Sequence, residues 1–166
     1  NLGSYYVMQN RPELAAEKFE MALDINPYDY RLWINSGVAL NDIPGRESRA
    51  RQALNHGLEL GERQREINPR DPGILRSLAT ARAELGDSAA ASQDIEHAIL
   101  LAPNNADMAL AAAVIFEQIH NRIRARQCVI DALNMNYARE DVRNYWPELE
   151  GVVSDPVFDS LYRSQL

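Results

Sequence analysis

The chain has 166 residues, 46% of them hydrophobic, and a formal net charge of −7 at pH 7. That length and apolar content suffice for one ordinary domain with a substantial core and exclude a disordered chain. No apolar run reaches the roughly 18–20 residues of a membrane span, and the acidic balance argues against nucleic acid, so neither is an expected partner.

Cys128 is the only cysteine, so no intrachain disulfide can form, and a reducing, cytoplasmic setting is expected. The chain begins at Asn1 inside a helix pattern, with neither an initiator Met nor a signal-peptide pattern, and reads as a piece of a longer protein.

A fixed period runs through the sequence. Gly3 and Gly37, Pro69 and Pro103, Ala91 and Ala125, and Ala98 and Ala132 are each 34 residues apart. A period of that length on small, aromatic and proline slots predicts a stacked-helix array with a broad concave face and no enclosed pocket. In the first unit (1–29), Leu2, Gly3 and Tyr6 share one side of a helix. Asn10, Arg11 and Pro12 make the turn, and Pro is suited to the first turn of the next helix. Ala15, Phe19 and Ala22 then fall on one helical face, closed by Asn26-Pro27.

Leu2, Gly3, Tyr6, Ala15, Phe19, Ala22 and Pro27 together resemble the tetratricopeptide repeat, a helix–turn–helix unit of 34 residues. The resemblance implies an all-α, right-handed α-α superhelix of about four helix–turn–helix units with a C-terminal capping segment. Small residues such as Gly3 and Ala15 belong where the two helices cross, and Tyr6 and Phe19 belong in the gaps between helices.

The second unit (30–71) breaks the period. Trp33, Gly37 and Leu40 fit its first helix, but Pro27 and Pro69 lie 42 residues apart. One extra residue fits the turn at 42–45, and the other seven predict a second helix lengthened by two turns, from about Arg46 to Ile67. Ala50, Leu54, Gly57, Leu58 and Gly61 keep helical spacing along it. Interior glycines cost about 1 kcal/mol each relative to alanine, so a break near Gly61 is the alternative to one continuous helix.

The third unit (72–105) returns to register with Leu75, Leu78, Ala79, Ala91, Ile95, Ala98 and Pro103, turning at Leu85-Gly86-Asp87. The fourth (106–137) carries Ala113, Phe116, Ala125, Val129 and Ala132, with Tyr137 where the closing proline would stand. Its run from Ala109 to Ile115 holds no charge and predicts a helix surrounded on most sides. Residues 1–137 are therefore the repeat domain and 138–166 a capping segment.

In that segment, Pro147 and Gly151 are expected to split the chain. Trp146, Leu149, Val152 and Val153 are expected to cover the last apolar face, and Asp155-Pro156 to open a final helix with Val157, Phe158 and Leu161. Pro147-Glu148-Leu149 and Ser154-Asp155-Pro156-Val157-Phe158 look like the end-of-group segment of bacterial arrays attached to serine/threonine kinases, adenylate cyclases or winged-helix regulators. That implies a place in a larger bacterial signalling protein.

Candidate chemistry is sparse. His56, His97 and His120 lack ligand partners at zinc spacing, and Cys128 lacks an activating motif. The eight glycines form no phosphate-cradling loop, and carboxylate pairs such as Glu59 and Glu62 sit among arginines as ion pairs would. The residues support no catalytic, metal or cofactor site and no enzyme.

The resemblance places the first helix of each repeat on the concave face. Carried over by slot, the groove takes Ser4, Val7 and Met8 from the first unit and Arg31, Ile34, Val38, Asn41 and Asp42 from the second. The third gives Arg76, Thr80, Ala83 and Glu84, and the fourth Asp107, Leu110, Val114, Glu117 and Gln118. An apolar middle with Arg31 and Arg76 near one rim and Asp42, Glu84 and Glu117 near the other suits a peptide with apolar anchors and charged ends. The clamp that related repeats use for acidic chaperone tails is not expected. Asn35 matches one slot, but Ser4, Gly73 and Ser77 replace other donors. A protein or peptide partner held in the groove is the first expectation. Self-association through the long helix or the N-terminal face, giving a homodimer, is the second.

Overall fold

The computed structural model describes residues 2–163. Four helical hairpins follow one another: α1 (Leu2–Met8) with α2 (Pro12–Ile25), α3 (Tyr30–Asn41) with α4 (Glu47–Ile67), α5 (Pro72–Glu84) with α6 (Ser88–Leu101), and α7 (Ala106–Gln118) with α8 (Arg122–Asn134). The tail adds α9 (Arg139–Tyr145), a 3-10 turn (Pro147–Leu149), α10 (Glu150–Val153) and α11 (Pro156–Arg163). No strand occurs among the described residues.

Local chemistry sets these boundaries. The side chains of Asp29, Asp71, Asp87, Asn105 and Asn121 each accept a hydrogen bond from a backbone N–H of the first turn that follows, satisfying donors that have no partner inside the helix. Pro12 and Pro72 occupy first turns, where their missing N–H costs nothing. Within the third hairpin the chain reverses through Gly86 at φ +85°. His120 takes the same left-handed conformation (φ +61°) in the corresponding turn of the fourth and is exposed there.

Each second helix packs on its own first helix and on the first helix of the next unit, while α3, α5 and α7 touch in a row along the inner side. The tight crossings fall on the small slots. A Cβ added at Gly37 would lie 2.6 Å from Leu54 Cγ, and one added at Gly57 would lie 2.6 Å from Ile34 Cγ1 and 3.1 Å from the Ile34 backbone nitrogen. Ala15, Ala91, Ala98, Ala125 and Ala132 are fully buried.

The second unit's long helix is continuous through Gly61. Its additional turns extend the C-terminal end past the start of α3 and onto the third unit. A Cβ at Gly61 would meet Leu78 and Tyr30. Glu62 and Arg65 join Arg82 of α5 and Asp94 of α6 in a four-membered ion network, with Asp94 only 5% exposed.

The largest core cluster runs from Leu75 through the third and fourth units into the tail. Val142, Leu149, Val152, Val153 and Phe158 are fully buried in it, and Trp146 is half-buried against it. The tail thus covers the end of the stack. Its breaks fall at Trp146-Pro147 and at Ser154-Asp155, while Gly151 sits inside α10. Pro147 cannot continue α9, whereas Gly151 only weakens a helix. The expected side-chain position of Leu161 lies outside the described residues.

Candidate binding groove

The inner helices border a half-open cavity of about 490 Å³. Val7 of α1, Arg31, Ile34 and Val38 of α3, and Asp42 just after it form one side. Arg76, Thr80 and Glu84 of α5 form the middle, and Val114, Glu117 and Gln118 of α7 the other side. Residues four apart on each helix supply this wall because they share a face.

Other slot residues lie elsewhere. Ala83 and Leu110 are buried in the core, Leu110 completely. Asp107 is exposed but does not line the cavity, and Asn41 borders a separate cleft between α3, α4 and α5. Ser4 lines an adjoining cavity of about 390 Å³. The side chain of Met8 lies outside the described residues.

Asn35 and Ser77, named above only at the slots of the chaperone-tail clamp, also line the cavity, and sequence reasoning missed four further residues: Ala111, Ile115, Trp146 and Glu148. Ala111 and Ile115 each follow a slot residue, and a helix face wide enough to line a groove admits such neighbours. Trp146 and Glu148 come from the tail, where no period gives their position. They contribute to both cavities, together with Val7, Asn35 and Val38. The groove is therefore walled on one side by the tail, whereas the expectation is a face lined by the first helices of the repeats.

The ring of Trp146 is fixed by its Nε1–H, which donates to Tyr137 Oη at 3.2 Å. Arg31 donates to both oxygens of Asp29, at 2.9 and 2.7 Å, and that hydrogen bonding holds the Asp29 carboxyl below its ordinary range. Glu117 pairs with Arg122. Among the described residues, Arg76 and Glu148 make no ion pair. Glu84 accepts from Asn41 Nδ2 at 2.9 Å and from Gln118 Nε2 at 2.7 Å, so one carboxylate joins α3, α5 and α7. Burial pushes the carboxyls of both Glu84 and Asp42 above the usual range.

Elsewhere, a furrow of about 520 Å³ lies between α2, α3 and α4, and part of its polar lining is already engaged. Arg49 pairs with Glu20, and Trp33 Nε1–H donates to the Pro27 carbonyl at 2.7 Å. Cys128 is buried, and burial pushes its thiol up to about 12, leaving it an inert packing residue. His56, His97 and His120 are exposed, and no group of three or more metal-binding side chains is assembled among the described residues. No described helix is long and apolar enough to cross a membrane.

No family model and no curated protein matches the chain. Among solved structures it is similar to MamA, with a TM-score of 0.50 and 14% identity over 99% of this chain and 92% of that one. It is also similar to a thermophilic TPR protein of Thermus thermophilus, with a TM-score of 0.50 and 20% identity over 98% of this chain and 94% of that one. At such identities the likeness establishes the architecture. The fold is an all-α tetratricopeptide-type superhelix of stacked hairpins closed by a C-terminal cap.

Proposed function

We propose that this chain is a non-catalytic scaffold for protein–protein interaction that holds a peptide or protein segment in its concave groove. The observation that carries the reading is the cavity itself. Ile34, Val38, Val114 and Ile115 give it apolar walls, and Arg76, Asp42 and Glu148 stand at it without an ion-pair partner among the described residues. Such a surface offers apolar anchoring in the middle and charge selection at the edges. The resemblance of the tail to bacterial signalling arrays supports a place in a larger regulatory protein.

Peptide display against the full chain tests the reading. Binders are expected to be lost in the Val38→Glu/Val114→Glu double variant while its helical circular dichroism is retained. Binders that keep their affinity for that variant overturn groove binding.

A second reading, self-association, is favoured by α1, where Leu2 and Tyr5 are each 55% exposed and Val7 is 37% exposed. The long helix supports it less, because Leu58 packs inside the chain against the cluster of Ile34, Leu54 and Ala81. Light scattering across concentrations, with Leu2→Asp/Tyr5→Asp as the control, separates the two. A constant monomer rejects self-association, and a dimer lost in the control supports it.

A further inference from the structure

The groove's charges do not cancel. Arg31 is neutralised by Asp29 and Glu117 by Arg122. What remains is Arg76 against three carboxylates: Asp42 at the end of α3, Glu84 on α5 and Glu148 of the tail. Among the described residues Glu84 has two amide donors but no cation, and each of its oxygens keeps a lone pair for another donor. Burial holds the Asp42 and Glu84 carboxyls above their ordinary range, the signature of carboxylates partly stripped of water without a counter-charge. Beside them, Trp146 stands with Val7 and Val38 where the two cavities meet, its ring already anchored through Tyr137. An aromatic fixed before binding loses little further freedom when it receives a ligand.

We propose that the occupant of the groove is a short basic segment carrying one bulky apolar side chain, which seats against Val7, Val38 and Trp146 while flanking Lys or Arg residues meet Asp42, Glu84 and Glu148. The inference rests on the groove reading and adds the sign of the partner's charge and the position of its anchor. The apolar seat supplies affinity, and the uncancelled acid selects the charge.

The probes are eight-residue peptides: one with a central Leu flanked by Lys and Arg, its charge-reversed form with Glu and Asp, and a form with Leu replaced by Ser. Fluorescence anisotropy with the full chain is expected to show binding of the basic apolar peptide alone. Glu148→Lys and Asp42→Lys are each expected to weaken it about threefold to tenfold, and Trp146→Ala about tenfold or more. Binding should weaken as salt rises, and strengthen as pH is raised through the range, lifted by burial, in which Asp42 and Glu84 ionise. Because Glu148 is exposed, the thermal melt of Glu148→Lys should match the parent.

Unbiased display against the same chain decides the remaining outcomes. Groove-dependent binders that are acidic or uncharged, or a groove-dependent homodimer, overturn this inference and leave a binding groove in place. The absence of any binder sensitive to Val38→Glu/Val114→Glu overturns the groove reading itself.

Discussion

At the scale of single residues, Glu84 and Asp155 report on pH in opposite senses. Burial raises the Glu84 carboxyl, so over the window between its unfolded and raised native values the native state binds more protons than the unfolded state. Stability from this group is therefore present at the acid side and lost as pH rises through the native value. Asp155 accepts from the Val157 backbone N–H and from Arg126, which together lower its carboxyl. Its contribution is present above the unfolded value and lost as pH falls through the native one. Thermal melts from pH 3 to 7 are expected to show opposite changes: Asp155→Asn reduces the loss of stability toward acid, and Glu84→Gln removes a compensating gain there. The fully buried Ala98 provides a steric test. Ala98→Leu should overpack the third hairpin and cost about 1–3 kcal/mol, read as a lower melting temperature. The Ala98 slot was legible from the period, and the place of Glu84 on the inner face was what the resemblance implied. The ladder Asn41–Glu84–Gln118 was not, because it depends on how far successive units are rotated, and spacing along one chain does not encode that rotation.

At the scale of elements, α4 shows why a longer helix is tolerated inside a regular stack. Its 21 residues keep the ordinary crossing at Ala50, Leu54 and Gly57 and place the surplus beyond it, where Glu62 and Arg65 reach Arg82 and Asp94. The surplus length was readable from the interval between Pro27 and Pro69. Its destination was not, since the pairing joins residues on three helices. Two glycine substitutions separate crossing from surplus. Gly57→Ala gains helix propensity of about 1 kcal/mol, but its Cβ meets Ile34 side chain and backbone, so net destabilisation is expected. At Gly61 the new Cβ meets side-chain atoms alone, Leu78 Cδ2 at 2.8 Å and Tyr30 Cδ2 at 3.4 Å, so Gly61→Ala should cost less than Gly57→Ala. Chemical denaturation of the two variants checks the contrast, and equal effects would contradict it.

At the scale of the whole molecule, the core is uneven. The third and fourth units share one cluster with the tail, while the first two hold smaller ones. Phe158, fully buried with the Arg139 guanidinium 5.2 Å from its ring centre, anchors the tail to that larger body. Phe158→Ala should cost about 3–5 kcal/mol and expose the end of the stack, seen as a lower melting temperature and faster amide exchange in α8 and α10. Capping by apolar tail residues was legible because Leu149, Val152 and Val153 are an apolar group where the repeat stops. The sideways reach of Trp146 and Glu148 was not, for it follows from the chain's path through the Trp146-Pro147 corner.

That reach changes how the stack should behave mechanically. In a simple array each unit feels only its neighbours, and the two extremities are independent. Here Val7 of α1 and Trp146 of the tail face the same hollow, so a guest that grips both would fasten these two segments like a clasp. Occupancy would then resist uncoiling of the units that lie between them.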